Sequence, residues 1–242
     1  MFVLGGGSNI LFADEGFDGL VVKDECREYV VVGDIISAQS GVFLDQLVDI
    51  AASHSLTGLE FAAGIPGTVG GAVWGNAGAF GNCIADILES AVVYNFDEGL
   101  KVVDADYFDF KYRHSRLKNN SELVLTASFR LKSGQKSAIA DKANEHRQLR
   151  KSKHPIKEGC AGSIFKNIKK PELIPAGKLL EDAGARGMKA GAAEVFEKHC
   201  NIIVNKGGAS AFQVRELAEM MQRKVLDKFN ILLEYELKMV QP

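Results

Sequence analysis

The apolar residues of the first third of the chain come mostly in short runs, and one stretch follows a helical period. The short runs are rich in residues that favour strands, and they cover residues 2–4, 10–13, 20–23 and 29–32. The helical stretch covers residues 43–55, and its apolar face holds Leu44, Leu47, Val48 and Ala51. Because Gly58 lies just beyond that face, we predict several early strands followed by one amphipathic helix that ends before this glycine.

The middle of the chain combines further strands with a polar helix. Strands are predicted at residues 91–95, 101–104 and 123–131, and the helix at residues 137–152. His154 and Pro155 then interrupt the pattern in a way that is typical of a linker. We therefore place a domain boundary at this point.

The last third contains the clearest helical pattern, at residues 210–228. Ser210 and Gln213 fit a capping box, and an apolar stripe follows them at helical spacing. The other predicted elements are a helix at 178–183 that ends at Gly184, and strands at 201–205 and 231–240. Since strand residues alternate between two sides, the final strand would place Glu234 and Glu236 on the same side.

The composition is that of a globular protein, and it excludes several classes of function. Of the 242 residues, 46% are hydrophobic and 25% are charged, and the formal net charge is −2. This balance offers no basic footprint for nucleic acid or an anionic membrane, and no apolar run approaches the ~20 residues of a membrane span. The basic residues around 147–157 are interpreted as solvated surface.

The cysteines and histidines give no sign of a metal site or a disulfide framework. The four cysteines are far apart and form no CxxC pair: Cys26, Cys83, Cys160 and Cys200. Such usage indicates free thiols in a reducing compartment, so we predict a cytoplasmic protein without a bound metal. Cys160 is interpreted as a small buried hydrophobic residue.

A glycine loop, GGGSN, occupies residues 5–9 between the first two predicted strands. A Rossmann fingerprint would lead into a helix, and a Walker loop would end in Gly-Lys-Ser/Thr, so neither motif is present. Two readings remain open at this point. The loop is either a tight structural turn or a nest of backbone N–H groups that binds phosphate.

A second stretch, at residues 58–81, reads GLEFAAGIPGTVGGAVWGNAGAFG and holds seven glycines between Gly64 and Gly81. Its remaining residues are largely apolar, whereas flexible linkers are usually polar. Tight packing of elements is the alternative interpretation, but we predict that the stretch lines a large flat ligand that approaches the backbone closely.

These stretches resemble the two flavin-binding segments of the UDP-N-acetylenolpyruvoylglucosamine reductase family. The resemblance continues in the family's order through FKYRHS, AGSIFKN, HCNIIVN and LLEYEL, and so covers nearly the whole chain. It implies an α+β fold of the vanillyl-alcohol oxidase/PCMH type, with two FAD-binding subdomains and a C-terminal substrate-binding domain. The implied boundaries are residues 1–32, 33–153 and 154–242.

The resemblance also implies a role for individual residues. FAD-binding positions fall on Gly5, Gly6, Gly7, Ser8, Asn9, Gly64, Ile65, Pro66, Gly70, Gly71, Asn76 and Gly78. Catalytic positions fall on Arg113, on Ser163 as proton donor, and on Glu236. Substrate-binding positions fall on Tyr112, Asn167 and Asn205.

The implied activity is NADPH-consuming reduction of UDP-N-acetylglucosamine enolpyruvate to UDP-N-acetylmuramate, for peptidoglycan synthesis, by a cytoplasmic monomer that carries FAD. The short distance between Arg113 and Ser163 in the sequence matches the form of the family that lacks an inserted tyrosine-bearing loop. Family members carry a strand–helix–strand segment before the first glycine loop, so we expect residues 1–32 to form an incomplete subdomain. We interpret the sequence as a fragment or an alternative start; the other possibility is that the remaining strands hold FAD unaided.

Two alternatives to the reductase are left open. One is another flavin oxidoreductase of the same fold, against which the Ser-Ile-Phe-Lys-Asn stretch and the terminal glutamate argue. The other is a non-catalytic, FAD-deficient nucleotide-binding homologue. The colour of the purified protein and its response to NADPH distinguish the three possibilities.

Overall fold

The computed structural model describes residues 1–168 and 173–242. It divides into two compact units, and the chain passes between them more than once. The first unit comprises residues 1–6 and 21–150, and the second comprises residues 7–20 and 151–242. The three-part division given above stays a prediction.

Strands and helices alternate irregularly along the chain, as expected for an α+β protein. The strands are β1 (Phe2–Leu4), β2 (Ile10–Phe12), β3 (Val21–Lys23), β4 (Tyr29–Val32), β5 (Ile35–Gln39), β6 (Leu56–Thr57), β7 (Gly78–Ala79), β8 (Asn82–Cys83), β9 (Leu88–Asn95), β10 (Gly99–Asp104), β11 (Leu123–Arg130), β12 (Lys132–Ser133), β13 (Gly159–Ser163), β14 (Lys189–Ala190), β15 (Ala193–Val195), β16 (Ile202–Asn205) and β17 (Lys238–Val240). The helices are α1 (Leu44–Ser53), α2 (Val69–Gly75), α3 (Lys136–Lys153), α4 (Ala176–Asp182) and α5 (Ala211–Phe229). Short 3₁₀ helices cover Glu60–Ala62, Ile84–Asp86, Asp106–Phe108 and Arg116–Asn119.

The first unit is built on an antiparallel sheet with strand order β10-β9-β11-β5-β4. Its buried side chains, such as Val93 and Phe129, belong to one core with Leu47 of α1 and Val73 of α2. A parallel pair, β1 with β3, also belongs to this unit. The core therefore fixes α2, which carries seven residues of the second glycine-rich stretch, three of them glycines.

The second unit is built on a smaller antiparallel sheet with order β13-β16-β15-β14. Its core includes Leu180 of α4 and Leu217 and Met221 of α5. A parallel pair joins β2 to β17, with Ile10 opposite Lys238 and Phe12 opposite Val240. Among residues 1–168 and 173–242, no helix is both long enough and apolar enough to span a bilayer.

Several elements of the fold differ from the expectations above, among them β13, which the sequence pattern did not predict. The chain forms β5 and the helix α2, which the hydrophobic pattern had not indicated. The final strand covers only Lys238–Val240 and not residues 231–240. The reason is that the preceding residues contact the segment after β13 through an isolated bridge between Phe165 and Tyr235, so no continuous ladder forms.

Candidate flavin and catalytic site

Gly5 and Gly6 of the first glycine loop lie directly against the second glycine-rich stretch. A Cβ atom on Gly5 would stand 2.5 Å from Thr68 Oγ1, and one on Gly6 would stand 2.7 Å from the Cα atom of Gly67. Since backbone atoms cannot turn aside as a flexible side chain can, a larger residue at Gly6 would displace one of the two stretches. The two predicted flavin-binding segments are therefore in contact within the first unit.

The Thr68 hydroxyl is the most informative group in this cradle. Thr68 is only 4% exposed, and its Oγ1 has no hydrogen-bond partner among the described residues. A buried hydroxyl without a partner is unfavourable, and such groups commonly mark a ligand site. Together with glycines that admit no Cβ, this donor fits a phosphate-bearing group such as the pyrophosphate of FAD.

The helix α2 holds the glycines at Gly70, Gly71 and Gly75. Gly70 packs on Ser40, where a Cβ would stand 2.8 Å from the serine Cβ, while Gly75 faces open space. Asn76 ends the helix with a φ of 46°. Its amide donates to Lys111 O at 3.0 Å and accepts from the Ala85 N–H at 3.1 Å, so this side chain ties loops together.

The segment before α2 is shaped by Gly64, which has a φ of 72°. Its N–H donates to Asp45 Oδ1 at 2.7 Å, and a Cβ on it would stand 3.1 Å from the Cδ atom of Arg150. Ile65 packs against the core of the first unit, and Pro66 is exposed. The conformation of this segment thus requires glycine at its first residue.

Arg113 lies at the tip of a tight turn in the first unit. The main chains of Lys111 and His114 hydrogen-bond to each other on either side of it, at 3.0 and 3.1 Å. Arg113 has a φ of 55°, unusual for a residue with a side chain. Its guanidinium donates to Gly78 O at 2.7 Å and lies 5.1 Å from the ring centroid of Tyr112. Predicted catalytic, substrate-binding and flavin-binding residues therefore meet here.

Arg150 adds a second guanidinium that the sequence had not indicated. Its Nε is buried without a hydrogen-bond partner among the described residues. Burial, and then the positive charge of Arg113, lower the pKa of Arg150 below its usual value. The interpretation of this basic segment as solvated surface is wrong for Arg150, and also for Arg147, which is 18% exposed and pairs with Asp45 and Asp49. Only the folding of α3 onto the first unit distinguishes these arginines from their exposed neighbours.

Ser163 ends β13 in the second unit. The register of β13 against β16 shifts between Cys160 and Ser163, and Gly162 has a φ of 71° at this irregularity. The Asn9 amide donates to Ala161 O at 2.8 Å and to Ser163 O at 3.3 Å. The end of the first glycine loop therefore fixes the main chain that carries the predicted proton donor.

Glu236 lies beside the same strand end, and Glu234 does not share its surroundings. The Glu236 N–H donates to Ile164 O at 2.8 Å, next to Ser163 in the chain. The Glu234 side chain is 77% exposed and pairs with Lys166 at 3.2 Å. The main chain of Glu236 therefore binds directly beside Ser163, and the catalytic role of this glutamate stays a prediction.

Asn167 and Asn205, the other predicted substrate-binding residues, use their amides locally. Asn167 Oδ1 accepts from the Ala176 N–H at 3.0 Å, at the start of α4. Asn205 Oδ1 accepts from the Gly207 and Ala209 N–H groups at 2.8 and 3.0 Å. Both residues therefore shape the loops around them.

Cys160 is exposed, so its interpretation as a buried hydrophobic residue is wrong. Its neighbour in the sheet is Val204 on β16. Among residues 1–168 and 173–242, no group of His, Cys, Asp and Glu has the arrangement of a metal site.

Comparison with known proteins identifies the family. A family model described as UDP-N-acetylenolpyruvoylglucosamine reductase, C-terminal domain, matches residues 154–240, and one described as FAD binding domain matches residues 1–106. The UDP-N-acetylenolpyruvoylglucosamine reductases of Caldanaerobacter subterraneus subsp. tengcongensis and Agathobacter rectalis are 40% and 44% identical to the chain. These alignments cover 99% and 98% of this chain, and 78% and 79% of the two relatives. The chain belongs to the UDP-N-acetylenolpyruvoylglucosamine reductase family.

The solved structures agree with this membership of the reductase family. The UDP-N-acetylenolpyruvylglucosamine reductase of Thermus caldophilus matches with a TM-score of 0.85 and 35% identity, over 99% of this chain and 85% of that chain. The resemblance stated from the motifs is thereby confirmed, as is the α+β FAD-binding fold with a C-terminal domain. The roles of individual site residues stay predictions.

Proposed function

We propose that the chain reduces UDP-N-acetylglucosamine enolpyruvate to UDP-N-acetylmuramate, a precursor of peptidoglycan, with FAD as cofactor and NADPH as hydride donor. The observation that carries this proposal is the 40% identity to a reductase of that name over 240 residues, which are 99% of the chain. The cradle around Thr68 supports it independently, because it fits the pyrophosphate of FAD. The predicted positions from Gly5 to Asn9 and from Gly64 to Gly78 would hold this cofactor.

When bound, the flavin supplies the hydride received from NADPH, which adds to the terminal carbon of the enolpyruvyl double bond. Negative charge then develops on the substrate carboxylate as an enolate. Arg113 suits this charge, because a guanidinium offers planar paired donors and its orientation is fixed by the bond to Gly78 O. Arg150 would reinforce the attraction, since its guanidinium is desolvated and repelled by the charge of Arg113, and a bound anion would relieve this repulsion.

A proton must also reach the carbon that bears the ether oxygen, and Ser163 is the proposed donor. Its hydroxyl proton is transferred to this carbon and the resulting alkoxide takes a proton from water, so hydride and proton together saturate the double bond. Glu236 would orient the serine and balance charge at this centre. Tyr112, Asn167 and Asn205 are proposed to contact the substrate or to shape the loops that do so.

Flavin spectroscopy on the purified protein tests the function. The protein reconstituted with FAD should absorb near ~450 nm, lose this absorbance with NADPH under anaerobic conditions, and recover it when the enolpyruvyl sugar nucleotide is added. A protein that does not bind FAD, or whose reduced flavin does not respond to that substrate, would refute the proposal. A reduced flavin that responds only to oxygen would support an oxidase instead.

The serine is tested separately with two neighbouring variants. Ser163→Ala should slow flavin reoxidation by substrate by about 10²- to 10⁴-fold, the usual range for loss of a general acid, and leave reduction by NADPH unchanged. Cys160→Ser is the matched control, because this exposed thiol lies on the same strand. Equal reoxidation rates in Ser163→Ala and the wild type would remove Ser163 from the mechanism.

We further propose that the protein acts as a monomer in the cytoplasm, where NADPH and UDP-sugars are available. The four cysteines support a reducing compartment, since no disulfide joins them. Size-exclusion chromatography with light scattering measures the oligomeric state directly.

A further inference from the structure

We propose that Lys118 is a positioning residue that holds the main chain of Arg113 in its active conformation, and that the ring of Trp74 fixes Lys118 in turn. The inference rests on the proposed function for the role of Arg113. The geometry that supports it belongs entirely to the first unit.

The backbone of Arg113 needs support of this kind. Its φ of 55° lies in the left-handed region, which is unfavourable for a residue with a Cβ and is maintained by surrounding contacts. The Lys118 ammonium donates to the Arg113 carbonyl oxygen at 2.8 Å. A hydrogen bond from a charged donor is stronger than a neutral one, so it can stabilise a conformation that the turn alone would not favour.

Lys118 is itself held in place from the side of α2. Its Nζ lies 4.3 Å from the ring centroid of Trp74, within the range of a cation–π interaction. The Ser115 hydroxyl, on a fully buried residue, donates to Trp74 O at 2.7 Å. Trp74 and Lys118 thus connect the glycine-bearing helix to the arginine turn.

This connection gives Lys118 a specific consequence for the reaction. The guanidinium of Arg113 also donates to Gly78 O, on the strand that follows α2. With its carbonyl held by Lys118 and its side chain held by Gly78, Arg113 is fixed at both ends. Loss of the ammonium should therefore misplace the guanidinium without removing any group that contacts NADPH or FAD.

Lys118→Met tests the proposal, because methionine keeps the apolar stem and removes the ammonium. In the FAD-loaded enzyme, flavin reoxidation by substrate should slow by about 10- to 100-fold, as expected for loss of a charge-assisted hydrogen bond. Reduction by NADPH and the affinity for FAD should be unchanged. Lys118→Arg should restore reoxidation to within about threefold of the wild type, since it keeps a cationic donor at this position.

Lys111→Met is the matched control from the same turn. The Lys111 side chain is 66% exposed and pairs with Asp109, so its removal leaves the main chain of Arg113 untouched. We expect wild-type reoxidation in this variant. Equal rates in Lys118→Met and Lys111→Met would overturn the proposal.

A double-mutant cycle shows whether Lys118 acts through Arg113. In the Arg113→Ala background, Lys118→Met should slow single-turnover reoxidation by less than about twofold, because the group to be positioned is gone. If the two effects multiply, Lys118 acts on the substrate directly and the positioning role is wrong.

The fluorescence of Trp74 provides a readout that does not depend on activity. Trp74 is the one tryptophan among the 242 residues, so in the apoprotein its emission reports the cation above its ring. Lys118→Met should change the emission, whereas Lys118→Arg and Lys111→Met should not. An unchanged emission spectrum in Lys118→Met would refute the contact between Lys118 and the Trp74 ring, whatever reaction the enzyme catalyses. A wild-type enzyme that does not turn over the substrate would refute the proposed function and leave this contact untouched.

Discussion

Replacing Gly70 by alanine adds one methyl group to α2 at the point where this helix packs on Ser40. The new Cβ would stand 2.8 Å from the serine Cβ and 3.4 Å from its carbonyl oxygen. Carbon atoms in favourable contact are about 3.5–4.0 Å apart, so the overlap is at least about 0.7 Å. Neither side can move away easily, because Ser40 is buried and its carbonyl accepts the Gly70 N–H at 2.8 Å.

The size of the effect follows from two opposing contributions. Overpacking of this kind destabilises a core by about 1–3 kcal/mol. Alanine also stabilises a helix over glycine by about 0.5–1 kcal/mol. We therefore expect Gly70→Ala to lower the free energy of unfolding by roughly 0.5–2 kcal/mol.

Gly75 provides a matched control on the same helix. A Cβ there meets no atom within 4 Å, so Gly75→Ala should only gain helix propensity and raise stability by up to about 1 kcal/mol. Urea unfolding of the apoprotein, followed by Trp74 emission, measures both variants in the unit that contains them. The reasoning would be refuted if Gly70→Ala were at least as stable as the wild type, or if both variants shifted the urea midpoint equally.

Three further predictions follow from polar groups in the two units. Thr68→Val removes a buried hydroxyl that has no hydrogen-bond partner among the described residues, so it should stabilise the apoprotein by about 1–3 kcal/mol and weaken FAD binding. Urea unfolding and flavin titration measure the two effects, and an apoprotein less stable than the wild type would contradict the prediction. Hydrogen bonds from the first two backbone N–H groups of α5 lower the pKa of the Asp14 carboxyl. The stabilisation by this carboxylate is fully present above the unfolded value of 3.8 and is lost as the pH falls through the folded pKa. Asp14→Ala should therefore lower the melting temperature most above this value and progressively less as the pH falls below it, and an equal loss at every pH would contradict this. Burial lowers the pKa of His199 below 6.5. The contribution of the neutral imidazole to stability is therefore full above pH 6.5 and falls as the pH drops from that value through the folded pKa. His199→Gln should flatten this part of the plot of urea midpoint against pH, and an unchanged slope would exclude His199 as its source.

The parts of the fold that carry a strong local pattern could be predicted from the sequence. The helix α5 runs from Ala211 to Phe229, with the expected capping box between Ser210 and Gln213. The helix could be predicted because the capping box and the apolar stripe are two independent signals in the sequence and both indicate the same helix. By contrast, α2 consists of glycine, alanine and valine together with Trp74. Its small residues carry little periodic contrast, so only packing against the sheet determines that it is helical.

The candidate site divides in a similar way. The motifs indicated Arg113, Ser163 and Glu236, because each lies in a stretch with a distinctive order of residue types. They did not indicate Arg150, whose burial depends on how α3 packs and not on its neighbours in the chain. Nor does a sequence show that the Thr68 hydroxyl has no hydrogen-bond partner among residues 1–168 and 173–242, since that requires the positions of the groups around it.

The parallel pairing of β2 with β17 joins residues near opposite ends of the sequence. A polypeptide of residues 151–242 alone would lack the partner strand of β17 and the Asp14 carboxylate that receives two N–H groups of α5. Residues 151–242 alone therefore do not contain the whole second unit, which also includes residues 7–20. During synthesis the β2–β17 pair can form only after β17 has left the ribosome, so this part of the second unit is completed last and requires residues 10–12.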